Sequence, residues 1–177
     1  MPERIIDACC LINLYASGSA AEILAASGGV YYVSDEVRGE ALTTRRPDPL
    51  DPPKLQTQPI DLTAGLQAGW LNACSLEGSE EFDAYLEFAQ QLDDGEASCL
   101  AIAKARQWKV ATDDRKAIRI CSEHGIQVIT TPELVKRWAE KSKPTDIRAV
   151  IANIERFASF RPGRTHPLHP WWLEFSE

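Results

Sequence analysis

Short apolar runs alternate with helix-like segments over about the first 140 residues of the chain. Runs such as Ile5-Ile6 and Val30-Tyr31-Tyr32-Val33 are short and rich in the β-branched and aromatic side chains that favour strands. Between them lie helical patterns with capping signals, for example Asp93 or Asp94 before the small apolar residues of 95–107. Such alternation is typical of a parallel sheet covered by helices on both faces. The sequence therefore predicts a three-layer α/β/α fold with a central, mainly parallel sheet.

The same patterns predict the positions of individual elements. Strands are expected at 4–8, 30–33, 69–76, 109–112 and 127–129. Helices are expected at 10–26 (one broken or two consecutive), around Val37 to Leu42, and at 79–91, 95–107, 115–124, from 131 onward, and 145–160. Five prolines make residues 45–60 a predicted loop, which we interpret as a lid, a partner-binding arm or an insertion.

Length and composition limit the class of protein. A chain of 177 residues with 44% hydrophobic residues fits one domain with its own core. We predict a main domain at 1–142 and a C-terminal helix with a Pro- and Trp-rich tail at 143–177 that packs on it. No apolar run approaches 18 residues and no signal-peptide pattern opens the chain, so we expect a cytoplasmic protein without a membrane span. Five cysteines match neither a disulfide framework nor a zinc spacing, and we interpret them as reduced and mostly buried.

Acidic residues occur where predicted strands and helices meet. They are Asp7, Glu40, Glu96 and the pair Asp113-Asp114. Because parallel strands end at one edge of a sheet, we expect Asp7 and the Asp113-Asp114 pair at the same edge, with Glu40 and Glu96 in the first turns of helices there. Carboxylates gathered in this way repel one another unless a cation lies between them, and magnesium or manganese prefers such oxygen ligands. The pattern predicts metal-dependent phosphodiester chemistry, with Asp7, Glu40, Glu96 and Asp114 catalytic and Asp7, Glu96, Asp113 and Asp114 as metal ligands.

Each acid also has a structural interpretation. Asp7 can cap the following helix, and Glu40 can be a surface residue whose role Glu36 or Asp35 takes over. An acid at position 96 is favoured by the helix dipole alone. One residue of the Asp113-Asp114 pair is expected to cap the next helix, and we favour Asp114 as the ligand.

Other polar residues are candidates for supporting roles. Asn13, Thr112 and Ser98 are predicted to orient carboxylates or water near the metal. The net charge of −7 argues against indiscriminate binding of nucleic acid, so local basic clusters must hold any such substrate. We predict that one such cluster binds nucleic acid, although charge runs on helices are commonly solvated faces. Its members are Arg115, Lys116 and Arg119.

Four motifs in this order resemble those of PIN domains. They are Ile5-Ile6-Asp7 with the helix that follows it to Leu14, Val37-x-x-Glu40, Gly95-Glu96-Ala97-Ser98, and Thr112-Asp113-Asp114. The resemblance covers about residues 4–140, and Gly-Glu stands where many members have an Asp motif, so the chain resembles a divergent subgroup. It implies a PIN-like fold and a magnesium- or manganese-dependent endoribonuclease that cleaves single-stranded or structured RNA. A toxin role, a small antitoxin partner and a homodimer are further expectations from the family.

Two other functions remain open from the sequence. A PIN-like fold without catalysis would serve as a binding or regulatory module, which the intact acids argue against. A phosphatase with an aspartate nucleophile would need a second Asp two residues after Asp7, where Cys9 stands. In the tail, Trp171-Trp172 predicts packing across the domain or a dimer interface, with stacking on unpaired RNA bases as the alternative.

Overall fold

A computed structural model describes residues Met1–Ser176. The strands are β1 (Glu3–Ile6), β2 (Val30–Ser34), β3 (Thr43–Pro47), β4 (Leu55–Pro59), β5 (Asn72–Cys74), β6 (Lys109–Ala111) and β7 (Val128–Ile129). The helices are α1 (Ala8–Ser17), α2 (Ala20–Ala26), α3 (Asp35–Gly39), α4 (Thr63–Ala68), α5 (Gly78–Phe88), α6 (Asp94–Arg106), α7 (Arg115–Glu123), α8 (Thr131–Ala139), α9 (Pro144–Ala158) and α10 (His169–Leu173).

Five strands form one parallel sheet in the order β5-β2-β1-β6-β7. The central strand β1 carries Ile5 and Ile6, which are fully buried, and a strand covered on both faces must be apolar in this way. Every connection between parallel strands needs a crossover, and helices supply them here. The predicted fold class, an α/β fold with a central parallel sheet between helices, is confirmed.

The chain divides into two compact units, each assembled from three stretches of sequence. The first contains residues 1–11, 28–40 and 62–131, and the second contains residues 12–27, 41–61 and 132–177. The five-stranded sheet and helices α3 to α7 belong to the first unit, and β3, β4, α2, α9 and α10 belong to the second. The predicted division into 1–142 and 143–177 stays a prediction.

Helix α6 is the central helix of the first unit. Its residues from Ala97 to Ala103 are all buried, and it packs against β1, β2 and β6 as well as α5. Small side chains such as Ala97 and Ala101 let the helix lie close to the sheet, whereas the polar end near Asp93 stays at the surface. The sequence-based prediction of a buried, nearly all-apolar helix here is confirmed.

The carboxyl ends of the strands in the first unit form the edge where a site is expected. Strand β1 lies between β2, which follows it in sequence, and β6, which comes much later, so the order of the chain reverses at β1. Ligands of open α/β sheets bind at such a switch point, outside the carboxyl ends of the strands. Asp7 follows β1 directly, and Thr112 follows β6.

The predicted loop at 45–60 is wrong, because the segment forms an antiparallel hairpin. Strands β3 and β4 pair from Thr43 with Pro59 to Pro47 with Leu55. Both prolines lie at strand ends in a two-stranded sheet, where a missing N–H breaks no central ladder. The turn is closed by the Asp48 N–H, which donates to the Lys54 carbonyl at 2.8 Å. Counting prolines hid the alternation of threonine and glutamine that favours strands here.

The predicted helix through Glu40 is also wrong in its extent. Helix α3 ends at Gly39, and Glu40 follows it with an extended ψ of 148°. Glycine has low helix propensity, so Gly39 favours this early end. Glu40 therefore lies at the carboxyl end of a short helix and not in a first turn, where the dipole would favour an acid.

In the second unit, the hairpin and the C-terminal segment are held by specific contacts. The Arg46 guanidinium donates to the carbonyls of Tyr15 at 2.6 Å and Ala16 at 3.1 Å, in the last turn of α1. Trp172 is fully buried, and its Nε1 donates to Glu155 Oε1 at 2.9 Å. The tail thus contributes Trp172 to the core of this unit, and the predicted packing of the tail on the main domain stays a prediction.

Within residues 1–176, no single helix is long and apolar enough to cross a membrane. Only α1 and α2 taken together reach that length and hydropathy, and they meet at an angle of 112°. A buried pair of core helices has the same composition.

Candidate active site

Asp7 is fixed at the end of β1 by hydrogen bonds on all sides. Its N–H donates to the Ala111 carbonyl at 3.0 Å, which extends the pairing of β1 with β6. Its carboxylate accepts from the Ala8 N–H at 2.7 Å, from Thr112 Oγ1 at 2.9 Å and from Cys9 Sγ at 3.2 Å. Burial raises the pKa of Asp7, and these three hydrogen bonds oppose that rise. Thr112 therefore contacts Asp7 directly, and its predicted role beside a metal stays a prediction.

Cys9 joins this network, in a role that was not predicted from the sequence. Its Sγ donates to Asp7, lies 3.4 Å from Thr112 Oγ1 and accepts from the Asp113 N–H at 3.3 Å. Burial and the nearby carboxylates of Asp7 and Asp113 raise the pKa of the Cys9 thiol, so it stays protonated and can donate. Its position two residues after Asp7, in the first turn of α1, was the available signal.

Glu96 lies in the first turn of α6, as predicted. Asp93 caps this helix by accepting from the Glu96 N–H at 2.8 Å. Burial, followed by the charges of Asp93, Asp114 and Asp7, raises the pKa of Glu96 to about 7. Asp93 is thus both the cap and a neighbour of the predicted acids, whereas the sequence analysis gave it the capping role alone.

Glu40 reaches the same cluster across Gly95. A Cβ at Gly95 would overlap Glu40 Oε1, so the absence of a side chain there makes room for the carboxylate. The residue as a whole is exposed, yet burial of the carboxylate, followed by the charges of Asp93, Asp7 and Asp94, raises the pKa of Glu40 to about 7. Gly95 therefore has two roles: it belongs to the first turn of α6, and its lack of a side chain leaves space for the Glu40 carboxylate.

The two adjacent aspartates have different surroundings. Asp113 Oδ1 accepts from the Thr131 N–H at 2.8 Å, and its Oδ2 accepts from the Thr131 hydroxyl. Asp114 caps α7 by accepting from the Ala117 N–H at 2.8 Å, and its charge acts on Glu96. One of the two was expected to be only a cap, with Asp114 favoured as the ligand, and the structure gives the capping role to Asp114 itself. The capping hydrogen bond uses only Oδ1 of Asp114, so Oδ2 takes no part in it.

A family model described as a PIN domain matches residues 3–165, which is most of the chain. The chain belongs to the PIN-domain family. The match of the family model confirms the family predicted from the sequence. A search of curated proteins finds no significant match to the chain. PIN domains are in general nucleases and typically use divalent metal ions, and the acids described above lie where the PIN-domain motifs were recognised in the sequence.

Other predicted supporting residues of this PIN domain have varied environments. Ser98 is buried and donates to the Gly95 carbonyl at 2.8 Å, and its hydroxyl lies 2.8 Å from that of Ser34. It therefore holds the start of α6 against the end of β2. Asn13 is buried on α1 and belongs to the second unit, so its predicted role stays a prediction.

The predicted nucleic-acid-binding residues lie on α7, directly after Asp114. All three are exposed: Arg115, Lys116 and Arg119. Lys116 Nζ donates to the Gln91 carbonyl, and Arg119 forms an exposed ion pair with Glu123 at 3.9 Å. An exposed pair of this kind contributes little stability and leaves the guanidinium available to a phosphate.

The acids act on one another electrostatically, but their side chains are not arranged as a finished coordination shell. Within residues 1–176, no group of three or more His, Cys, Asp or Glu side chains is placed to hold one metal ion. The donor chemistry does fit a hard divalent cation, because Asp7, Glu40 and Glu96 offer only oxygen and the charges that raise their pKa values are all carboxylates. Convergence of these residues on a shared ion stays a prediction.

Proposed function

We propose that this PIN domain is a metal-dependent endoribonuclease that cleaves RNA phosphodiester bonds. The observation that carries the proposal is the acidic cluster at the carboxyl edge of the sheet, in which Glu40 and Glu96 have pKa values of about 7. Burial and neighbouring aspartates raise the pKa values of these two acids, and their charged forms therefore destabilise the fold unless a cation is bound. Such a cluster at the switch point of a parallel sheet supports a functional site.

Asp7, Glu40, Glu96 and Asp114 would hold the ion. We favour Asp114 over Asp113, because Asp114 is one of the charges that raise the pKa of Glu96 and Asp113 is not among them. When bound, magnesium or manganese supplies positive charge for the phosphate oxygens and makes water more acidic.

The chain's own residues would orient the reaction. Thr112 and Cys9 fix the carboxylate of Asp7 at Oδ2, and the Ala8 N–H fixes Oδ1, so this side chain needs no rearrangement before a substrate arrives. Glu40 and Glu96 have pKa values of about 7 without metal, and the positive charge of a bound ion would favour their charged form, in which they can act as ligands. Arg115, in the first turn of α7, would bind a phosphate of the RNA.

The test is cleavage of a varied pool of single-stranded RNAs by the purified protein. We expect cleavage with magnesium or manganese and none with EDTA. Asp7→Asn and Glu96→Gln should each reduce the rate on the order of a hundredfold or more. Asp83→Asn removes the same charge from an exposed position on α5 and should leave the rate unchanged. Metal-loaded protein that leaves every RNA intact would contradict the proposal.

A second candidate is a PIN-like module without catalysis. The internal hydrogen bonds of Asp7 and Asp113 favour it, because they engage oxygens that a metal ion would use. This module would bind RNA equally well with manganese and with EDTA and would not cleave it in either.

We further propose that the activity serves as the toxin of a toxin–antitoxin pair in the cytoplasm. The proposal follows from family membership, since the acids alone say nothing of the biological target. Overexpression should halt growth, and Asp7→Asn should restore it. A small protein encoded next to the gene should neutralise the wild type. Growth arrest that persists in the Asp7→Asn variant would exclude the acidic cluster as its source.

A further inference from the structure

The C-terminal part of the chain differs in charge from the rest. Residues 132–177 contain eight Lys or Arg and six Asp or Glu, although the whole chain has a net charge of −7. Positive charge is therefore concentrated in the segment that contains α8, α9 and α10. A surface of this kind attracts polyanions even when the whole protein is acidic.

Four side chains of this segment form a continuous row. Lys136 Nζ lies 4.5 Å from the ring centroid of Trp171. The ring of Trp171 lies 5.5 Å from that of Phe175, at an interplanar angle of 55°. Arg148 Cζ lies 5.7 Å from the centroid of Phe175. We call these four residues the cation–aromatic row.

The row is held firmly but remains accessible. Trp171 and Phe175 are half-buried and Arg148 is exposed, whereas the adjacent Trp172 is fully buried. Glu155 accepts hydrogen bonds from Trp172 Nε1 and from the hydroxyl of Ser176, both at close range, and so fixes α10. One tryptophan therefore anchors the helix and leaves its neighbour at the surface.

Glu155, the carboxylate that fixes α10, is itself paired with a cation. Arg161 forms a bidentate pair with Glu155, at 2.8 and 3.0 Å. Burial raises the pKa of Glu155, but hydrogen bonds from Arg161, Ser176 and Trp172 outweigh it and lower the pKa. This carboxylate stays charged and paired, so it opposes an incoming anion less than an unpaired one would.

We propose that the cation–aromatic row binds single-stranded RNA. Unpaired bases would stack on Trp171 and Phe175, and the flanking phosphates would pair with Lys136 and Arg148. Paired bases cannot reach these rings, so the row selects single strands over duplexes. The choice of RNA as the nucleic acid rests on the proposed ribonuclease function, but the surface itself is argued independently of the acidic cluster.

The first test measures binding of a fluorescently labelled oligouridine, about ten nucleotides long, in buffer with EDTA, so that cleavage does not interfere. Trp171→Ala should weaken binding about tenfold, and Trp171→Phe should restore most of the loss, because one stacked base is worth a few RT. Leu173→Ala, an exposed apolar residue on the same helix, is the matched control and should bind as the wild type does.

The second test separates stacking from charge. The double variant Lys136→Ala/Arg148→Ala should reduce the slope of log binding constant against log salt by about 1.4, since each phosphate contact on a single strand contributes roughly 0.7. Lys143→Ala removes an exposed cation of the same segment outside the row and should change the slope by no more than half of that. An abasic oligomer of equal length should bind about as weakly to wild type as oligouridine binds to Trp171→Ala.

Three results would overturn the proposal. They are equal affinity of wild type and Trp171→Ala, equal affinity for oligouridine and the abasic oligomer, and a concentration-dependent dimer that Trp171→Ala dissociates. The last result would assign the row to an interface between two copies. Failure of the ribonuclease is separate: RNA that binds through Trp171 but is never cleaved contradicts catalysis alone, and cleavage with unchanged binding by Trp171→Ala contradicts the row alone.

Discussion

Glu81, which is buried, and Glu96, which is half-buried, are carboxylates of the same unit with opposite surroundings. Glu81 accepts from Arg106 Nε at 2.6 Å and Nη2 at 3.0 Å, and these bonds outweigh burial and lower the pKa of Glu81. Glu96 has Asp93, Asp114 and Asp7 as neighbours, and its pKa rises to about 7. The chain thus neutralises a buried acid with an arginine where only stability is needed. At the carboxyl edge of the sheet the acids have carboxylates and no cation as their charged neighbours, and this difference is the reason for proposing a cation there.

The largest expected effect on stability comes from removing the compensated acid. Glu81→Gln should lower the free energy of unfolding by about 2 kcal/mol, because the partly buried Arg106 guanidinium loses a bidentate charged partner. Glu96→Gln should leave stability unchanged or raise it in metal-free buffer. Urea denaturation of both variants tests the contrast. Equal losses of unfolding free energy would mean that the two carboxylates contribute equally to stability.

Manganese should stabilise the fold by binding at the uncompensated acids and not at Glu81. At ten times its dissociation constant, the ion should raise the free energy of unfolding by about 1.4 kcal/mol. The same addition to Asp7→Asn should produce little change, whereas Glu81→Gln, although less stable, should gain as much as the wild type. Thermal unfolding with and without manganese provides the measurement. A gain that survives in Asp7→Asn would place the ion elsewhere.

The pH dependence of metal-free protein should differ for the two kinds of acid. Glu40 and Glu96 have folded-state pKa values of about 7 against ordinary values of 4.5. Between pH 4.5 and about 7, the folded state therefore binds more protons than the unfolded state does. Their contribution is present below about pH 4.5 and is lost as pH rises through about 7, by roughly 1 kcal/mol or less after solvent screening. The lowered pKa of Glu81 has the opposite sign: its contribution is present above pH 4.5 and is lost as pH falls further.

Denaturation at several pH values in EDTA checks this slope. The double variant Glu40→Gln/Glu96→Gln should flatten it above pH 4.5, the ordinary value for both residues. A slope unchanged by the double variant would mean that other groups carry it.

The smallest stability effect is expected at Gly95. Gly95→Ala places a methyl group where Glu40 Oε1 lies, and the flexible Glu side chain can move away. Stability should therefore change by no more than about 0.5 kcal/mol. Manganese binding should weaken, because Glu40 is displaced from the cluster. Calorimetric titration of Gly95→Ala with manganese measures the effect. The control is Gly39→Ala, because Gly39 has open space where a Cβ would lie.

The sequence predicted the parts of the fold that depend on local patterns. Helix α6 was recognisable from its small apolar residues and its cap, and α7 ends before Gly125, whose φ of 68° suits glycine. The β3–β4 hairpin was missed because proline is a strong local signal, while tolerance of proline at the ends of a two-stranded sheet depends on which strands pair.

The site was predictable as a set of acids and less so as a network. Asp7 and Glu96 could be found because a strand end and a helix start each have a sequence signature. The contacts of Cys9 with Asp113, and of Glu40 with Gly95, join positions far apart in the chain, and no local pattern encodes them. For the same reason, only the structure distinguishes the surroundings of Asp113 from those of Asp114.

The contact of Arg46 with the last turn of α1 has a consequence for engineering. A hairpin that projects from a fold is usually the first segment to be trimmed when a shorter variant is wanted. Here the guanidinium of Arg46 donates to the carbonyls of Tyr15 and Ala16 in the last turn of α1, where carbonyl groups need donor partners from outside the regular helix ladder. Deleting residues 43–59 would remove both hydrogen bonds from the last turn of a helix that begins next to Asp7, so a shorter version of this protein should retain the hairpin or supply another cation in its place.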